Sequence, residues 1–417
     1  HLNSPTKISK RCWSRLSKDL FLQSLSSSDF DSFTNSSFTD VDDFLSSFKD
    51  KVLTILDELL PFKTFSYRLE SRRAPWFDFE CALSKRKVRQ LEKTYRGNPS
   101  SSSSFSNWQS NLSIYRSSLF FKHSSYLRNS IISASSSKNR WSALSRLLHK
   151  HSSNPPFSAQ QYHDHIINKI SSLRTSNSHT SPNFIQLTTK SLSTFTPITL
   201  SELTKIINSM SSITCSLDFI STTLLKEFSN IFFPIFLHLV NLSLLTSKFP
   251  TDFKTSIIIP LLKNSSLDSS SLSNYRPVTN LCFISKILEK VVYLQLSSYL
   301  ELNSLLPTTQ SGFRVAHNTE TSFLKIYNDA ILACDSGYIT LLLGLDYSSA
   351  FDTVDHNILL SLLEKSFNIT GSCISWLSSY LINRYLTVVL NNSVSKSSAV
   401  AFGVPQGSIL GPLLFIL

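Results

Sequence analysis

Three carboxylates and one imidazole crowd a single short stretch of this 417-residue chain: Asp346, Asp352, Asp355 and His356. Asp346 follows Tyr338–Leu345, a nearly unbroken apolar run that reads as a strand buried on both faces. A carboxylate where a buried strand meets a loop can hold a divalent metal within reach of solvent and substrate. The four groups are not equivalent. Asp355 also suits the N-cap of a helix opening at His356, which would leave the imidazole as an ordinary first-turn residue. Asp352 could cap, pair with a base, or assist the site.

Two further groups carry weaker chemistry. In Gly403-Val-Pro-Gln-Gly407, two glycines four apart let a ligand approach the backbone, and the Gln406 amide both donates and accepts. Lys263 stands at a strand end and Arg276 in an extended segment, where the two could meet a phosphate or simply be surface cations.

The elements that must position these groups are legible from spacing. Thr255–Lys263 is short and β-branched, and reads as a strand. Pro277 pushes Arg276 toward extended backbone. Helices are expected over Ile284–Leu300, Thr321–Cys334, His356–Phe367 and Cys373–Leu381. Leu386–Leu390 and Val394–Phe402 flank Asn391-Asn392-Ser393 as a hairpin. Thr199 and Glu202 form a capping-box pattern that opens a helix through Met210, followed by Leu217–Phe228 and Ile231–Leu245. The last of these is interrupted by Pro234, His238, Asn241 and Ser243. It is shorter than the roughly 20 apolar residues of a membrane span, so it reads as a buried helix.

The N-terminal part has a different texture. Residues 1–150 hold 24 Lys/Arg and 13 Asp/Glu, whereas residues 151–417 hold 16 and 15. Helical periodicity runs through Val41–Leu60, Asp78–Arg96, Phe105–Ser133 and Asn139–Leu148. The second of these carries Lys85, Arg86, Lys87 and Arg89 on its outer face. Such a surface suits a polyanion, nucleic acid first, or is a solvated helical face. Trp76, Trp108, Tyr115 and Trp141 punctuate it as base-stacking platforms or as core. Residues 151–197, rich in Ser, Thr, Asn and Pro, read as a linker. Serine reaches 81 residues, and seven of the eight glycines lie from Gly312 on, which argues against Gly-turned all-β repeats. The six cysteines show no CxxC pair, so neither zinc nor a disulfide framework is indicated, and a reducing intracellular compartment is the default. No signal peptide or spanning segment is visible. The chain opens on His1 and its one methionine is Met210, the pattern of a fragment.

Taken in order, these segments resemble the reverse transcriptase domain of LINE-type (non-long-terminal-repeat) retrotransposons. The matching stretches are Phe249-Pro250 with Phe253-Lys254, Ile258–Lys263, Leu272–Val278, Ser285-Lys-Ile-Leu-Glu289, Gln310-Ser-Gly-Phe-Arg314, Leu345–His356, Trp376 with Ser379–Leu381, and Gly403–Phe415. Ala74-Pro-Trp76 and the basic helices are similar, more loosely, to the connector that follows the endonuclease in such elements.

The resemblance implies an α+β fold: right-hand polymerase fingers and a partial palm over 198–417, after a mainly α-helical basic connector (1–150) and the linker (151–197). It implies RNA-directed DNA polymerase chemistry, in which a dNMP is transferred to a primer 3′-hydroxyl. The partners would be an RNA template, a DNA primer and dNTPs, with no membrane, and an endonuclease domain would precede His1 in the longer element. Asp346 would be the catalytic aspartate and would bind two Mg²⁺ together with the Tyr347 carbonyl. Lys263, Arg276, Phe351 (as steric gate) and Gln406 would contact the nucleotide. Arg314, Gly403 and Gly407 would lie by template and primer.

The family's palm continues to a paired Asp-Asp after the position of Phe415, and this chain stops at Leu417, so the expectation is a fragment inactive by itself. Gly344 also interrupts the apolar strand. Two other readings stand beside the first: a non-catalytic nucleic-acid-binding protein using the basic helices, and a structural helical protein carrying the motifs as relics.

Overall fold

The computed structural model describes all residues except 1–5, 29, 31, 36–37, 68–73, 135–136, 138–139, 142–143, 145–154, 176–182, 265, 348 and 391–392. In chain order its elements are β1 (Thr6–Lys10), α1 (Lys18–Ser27), α2 (Ser32–Asn35), α3 (Val41–Leu59), β2 (Lys63–Tyr67), α4 (Phe79–Gly97), α5 (Ser102–Ile132), α6 (Ala159–Thr175), α7 (Leu200–Ser209), α8 (Thr222–Glu227) and α9 (Ser229–Thr246). They continue with β3 (Thr255–Leu262), β4 (Tyr275–Asn280), α10 (Phe283–Leu302), α11 (Thr319–Asp335), α12 (His356–Lys365), α13 (Gly371–Leu381), β5 (Arg384–Leu390), β6 (Ser393–Val394), β7 (Ser398–Val400) and α14 (Gly411–Ile416). The fold is thus mixed helix and sheet. Two compact units result, one from residues 1–10 and 64–154, the other from 11–63 and 155–417.

In the first unit β1 pairs with β2, and α4 packs on α5. Asp78 caps α4 by accepting from the Cys81 amide, and Ser101 caps α5 by accepting from Ser104. Apolar contact is thin: within α4 only Cys81 and Val88 are buried, and no described residue of α5 is. Tyr95 stacks on Trp108 at 5.6 Å, and Trp76 lies 4.8 Å from His123, so these aromatics pack within the unit. Trp141 is exposed, and the helix expected over Asn139–Leu148 lies mostly outside the described residues.

The second unit is built on α3, α9, α10 and α13. Phe44 and Phe48 of α3 recur at helical spacing and turn inward, and Phe48 meets Phe232 and Phe236 of α9 edge-on at 6.2 and 5.9 Å. Trp376 and Tyr380 of α13 stack at 5.8 Å and surround Phe249. This apolar packing is why residues 11–63 fold with the C-terminal part, rather than with the basic helices as the boundary at residue 150 implied. α9 is long and apolar enough by composition to cross a membrane, yet half of it is buried, with Phe232, Phe236 and Leu239 in this core.

A five-stranded sheet completes the unit. β3 runs antiparallel to β4, with Leu261 opposite Arg276, and parallel to β5, with Ile257 opposite Thr387; β6 and β7 pair antiparallel with β5. Strand alternation places Ile258, Leu386 and Val388 on one face, where they form a second core with Ala159, Tyr162 and Ile166 of α6.

Two expectations fail here. The stretch read as a linker contains α6 and a well-anchored segment after it. His163 Nε2 meets Ser398 Oγ at 2.9 Å, Thr196 and Gln295 exchange hydrogen bonds, and Leu192 donates to Asn368 and accepts from Thr370. Its polar composition hides one inward stripe, Tyr162–Ile166–Ile170, at four-residue spacing. The buried strand expected over Tyr338–Asp346 is also not formed. No strand of the sheet pairs with it, and Ile339 and Leu341 are 98% and 92% exposed. An apolar run becomes a strand only where neighbours accept and donate its backbone hydrogen bonds.

Candidate nucleotide site

The Gly403–Ser408 loop is held on three sides. Gly403 donates to the Val354 carbonyl at 2.7 Å and Val404 to the Phe351 carbonyl at 2.8 Å. The His356 ring donates from Nε2 to the Gly403 carbonyl at 2.7 Å. On the next side, the Thr279 amide of β4 donates to the Gln406 carbonyl at 3.0 Å. On the third, the carboxylate of Glu289 on α10 accepts from the Ile409 amide at 2.7 Å and the Leu410 amide at 3.4 Å.

Both glycines expected in this loop are required by geometry. Gly403 has φ +87° and Gly407 φ +117°, which side-chain-bearing residues rarely adopt. A Cβ at Gly403 would lie 2.8 Å from the Phe351 carbonyl oxygen, and one at Gly407 would lie 2.8 Å from that of Thr279. The backbone of the loop therefore runs directly against the turn after Asp346 and against β4.

The loop borders a cleft of about 50 Å³ lined by Ser256, Thr279, Asp352, Gly403 and Gln406, with Ile166 and Ile170 of α6 along one wall. Burial raises the Asp352 carboxyl to about 6, with Lys169 opposing the shift. Phe351 packs on Phe415 at 4.8 Å and Phe313 at 5.9 Å. Asp355 is the N-cap of α12, accepting from Asn357 and Ile358, as one of its two sequence readings required. His356 is buried rather than a surface residue. Burial lowers its pKa, which keeps the imidazole neutral while it donates to Gly403.

The structure thus brings Phe351, Gly403, Gln406 and Gly407 together, but not all of the other candidates. Asp346 is exposed and Tyr347 is 76% exposed, in a segment without secondary structure. No three His, Cys, Asp or Glu side chains cluster as a metal site among the described residues. Lys263 donates its Nζ to the Ser273 carbonyl at 2.7 Å, across the loop joining β3 to β4. Arg276 is exposed, and strand alternation turns it to the face opposite Pro277 and Thr279, which line the cleft. Arg314 is held by Glu301 through two hydrogen bonds of 2.8 Å and by the Pro307 carbonyl, so it braces a surface turn. Lys85, Arg86, Lys87 and Arg89 are all exposed on α4.

Sequence reasoning missed Glu289 and Arg384. Glu289 stands on the stripe Ser285–Glu289–Val292–Leu296, the buried face of α10, and an acid on such a stripe was the available signal. Arg384 is buried between Phe249 and Tyr380, at 5.7 and 5.0 Å from their rings, and donates to the Tyr380 carbonyl.

Residues 262–417 match the family described as reverse transcriptase (RNA-dependent DNA polymerase). This segment belongs to the reverse transcriptase family. The chain is 36% identical over 169 residues to the probable RNA-directed DNA polymerase from transposon X-element of Drosophila melanogaster. It is 33% identical over 167 residues to that from transposon BS, and 30% identical over 167 residues to the RNA-directed DNA polymerase from mobile element jockey of the same species. Each match covers 40% of this chain and 18% of the relative, so the chain spans under a fifth of their length. Within the chain, the matched region begins at the end of β3 and takes in the cleft's Thr279, Asp352, Gly403 and Gln406.

Proposed function

We propose that residues 198–417 are the fingers and part of the palm of a LINE-type reverse transcriptase, and that the Gly403–Ser408 loop is its nucleotide contact. The parent reaction is attack of a primer 3′-hydroxyl on the α-phosphorus of a dNTP, which forms a P–O bond and releases pyrophosphate. Gln406 and the backbone of Gly403 and Gly407 lie against the nascent base pair and template, and Phe351 bars a ribose 2′-hydroxyl. RNA template, DNA primer and dNTPs are the partners. The observation that carries this reading is the loop pinned between the Phe351–Val354 turn and β4, within a matched reverse transcriptase segment.

Reverse transcriptases use divalent metal ions. The described residues of this chain do not gather ligands for two Mg²⁺: Asp346 stands exposed without a second carboxylate in a cluster.

The test is ultraviolet crosslinking of labelled dTTP to the chain on poly(rA)–oligo(dT). Label in the peptide carrying residues 403–410, lost in Gln406→Ala, is the expected result. Label elsewhere, or label indifferent to Gln406→Ala, contradicts the assignment.

A second activity is favoured by one observation: Lys85, Arg86, Lys87 and Arg89 are all exposed on one helix, α4. The basic helices then act as a nucleic-acid-binding connector, with or without polymerase chemistry. A salt-dependent shift of labelled RNA tests it.

A further inference from the structure

Glu289 is fully buried, and the charge of the buried Arg384 offsets only part of the penalty, so burial still raises its carboxyl. One carboxylate oxygen accepts from the Ile409 and Leu410 amides, and the other has no hydrogen-bond partner. The buried Tyr380 hydroxyl lies beside it and beside Ser408. Burying a carboxylate is costly, and its interaction with Arg384 does not repay that cost in full. The acid therefore contributes something other than core stability.

What it contacts indicates what that is. Ser408 donates to the Pro405 carbonyl, and Gly411 donates to Ser408 Oγ at 2.9 Å, so the chain from Pro405 to Gly411 is internally braced. A grip on Ile409 and Leu410 is transmitted through that brace to Gln406 and Gly407. The other two anchors, the Phe351–Val354 turn and Thr279, hold residues 403–406, N-terminal to Ile409. With those two alone, the loop can pivot about its glycines.

We propose that Glu289 is the positioning residue of the Gln406 loop, a carboxylate on α10 that fixes the loop's C-terminal end and thereby sets Gln406 against the incoming base pair. This rests on the reading of residues 403–410 as the nucleotide contact. It assigns a role to the Ser285–Glu289 stretch, which that reading leaves without one.

The test is amide hydrogen exchange of the full chain as wild type, Glu289→Leu and Glu289→Gln, alongside dTTP affinity on poly(rA)–oligo(dT) with Mg²⁺. Leucine keeps the packing and removes both acceptors. The expected result is exchange at Ile409 and Leu410 at least tenfold faster with α10 unchanged, and dTTP affinity lower by about tenfold. Glutamine retains an acceptor, so exchange at the same two amides rises only about two- to fivefold, and affinity returns to within about threefold of wild type. A folded leucine variant with exchange at these amides within twofold of wild type overturns the proposal. If the leucine variant does not fold, the glutamine variant decides: no rise, or a rise spread along α10, overturns it. The exchange measurement needs no nucleotide, so a wild-type chain that binds no dTTP defeats the polymerase reading separately from the loop contact.

Discussion

The Thr279 amide donates to the Gln406 carbonyl at 3.0 Å, and a Cβ added at the next residue, Gly407, would strike the Thr279 carbonyl oxygen at 2.8 Å. One residue of β4 thus both holds the loop and sets how close it lies. Nothing larger than glycine fits at 407 without moving β4.

Gly407→Ala is therefore expected to cost about 1–3 kcal/mol, through left-handed backbone strain and the collision with β4. Thermal denaturation of the second unit should show a melting point lower by on the order of 5 °C. Gly97→Ala, where a Cβ meets nothing within 4 Å, is the control and should leave it unchanged.

Asp352 makes stability depend on pH in a definite direction. Burial raises its carboxyl from 3.8 to about 6, so between those values the folded chain binds the proton more tightly than the unfolded one. Its contribution is unfavourable above about pH 6 and is relieved as pH falls toward 3.8. Asp352→Asn should accordingly be more stable than wild type at pH 8, with the difference vanishing near pH 4. Denaturant midpoints across that range measure it, and a constant difference would mean the carboxyl is not buried as described.

Alanine at Lys85, Arg86, Lys87 and Arg89 together should weaken RNA binding and flatten its salt dependence. If all four meet phosphates of a single strand, the log–log slope falls by roughly 2–3. An unchanged slope returns α4 to a solvated face.

Primer extension by this chain with Mg²⁺ and dNTPs is expected to yield no product, because Asp346 is exposed and unaccompanied by a cluster of carboxylates among the described residues. Extension product that disappears in Asp346→Asn would show that the segment closes into a working site.

Much of the fold can be read from local pattern. Asp40 and Asp78 cap their helices, Thr199 and Glu202 form the capping box, and β3 and β4 pair around the loop after Lys263. The caps depend on residues two or three positions apart, and the pairing of β3 with β4 on residues 13 to 23 apart. What local pattern could not reveal depends on distant partners. Leu341 and Leu343 satisfy every composition rule for a buried strand, but a strand exists only beside another. The inward stripe of α6 is diluted by Gln161, His163 and Asp164, and only its contact with β5 makes it core. Within the site, Gly403, Gln406 and Gly407 stood out because glycine and glutamine have few interchangeable roles at a tight turn. Glu289 did not, because its partners are backbone amides about 120 residues away, which carry no sequence signature.

Whether the cleft beside Gln406 reads a template is the central question, and nucleotide selectivity answers it most directly. With poly(rA)–oligo(dT) bound, the chain should retain dTTP at least tenfold more tightly than dCTP, and poly(rG)–oligo(dC) should reverse the order. Equal affinity for the two nucleotides on both templates would contradict a base-pair-reading site at this loop.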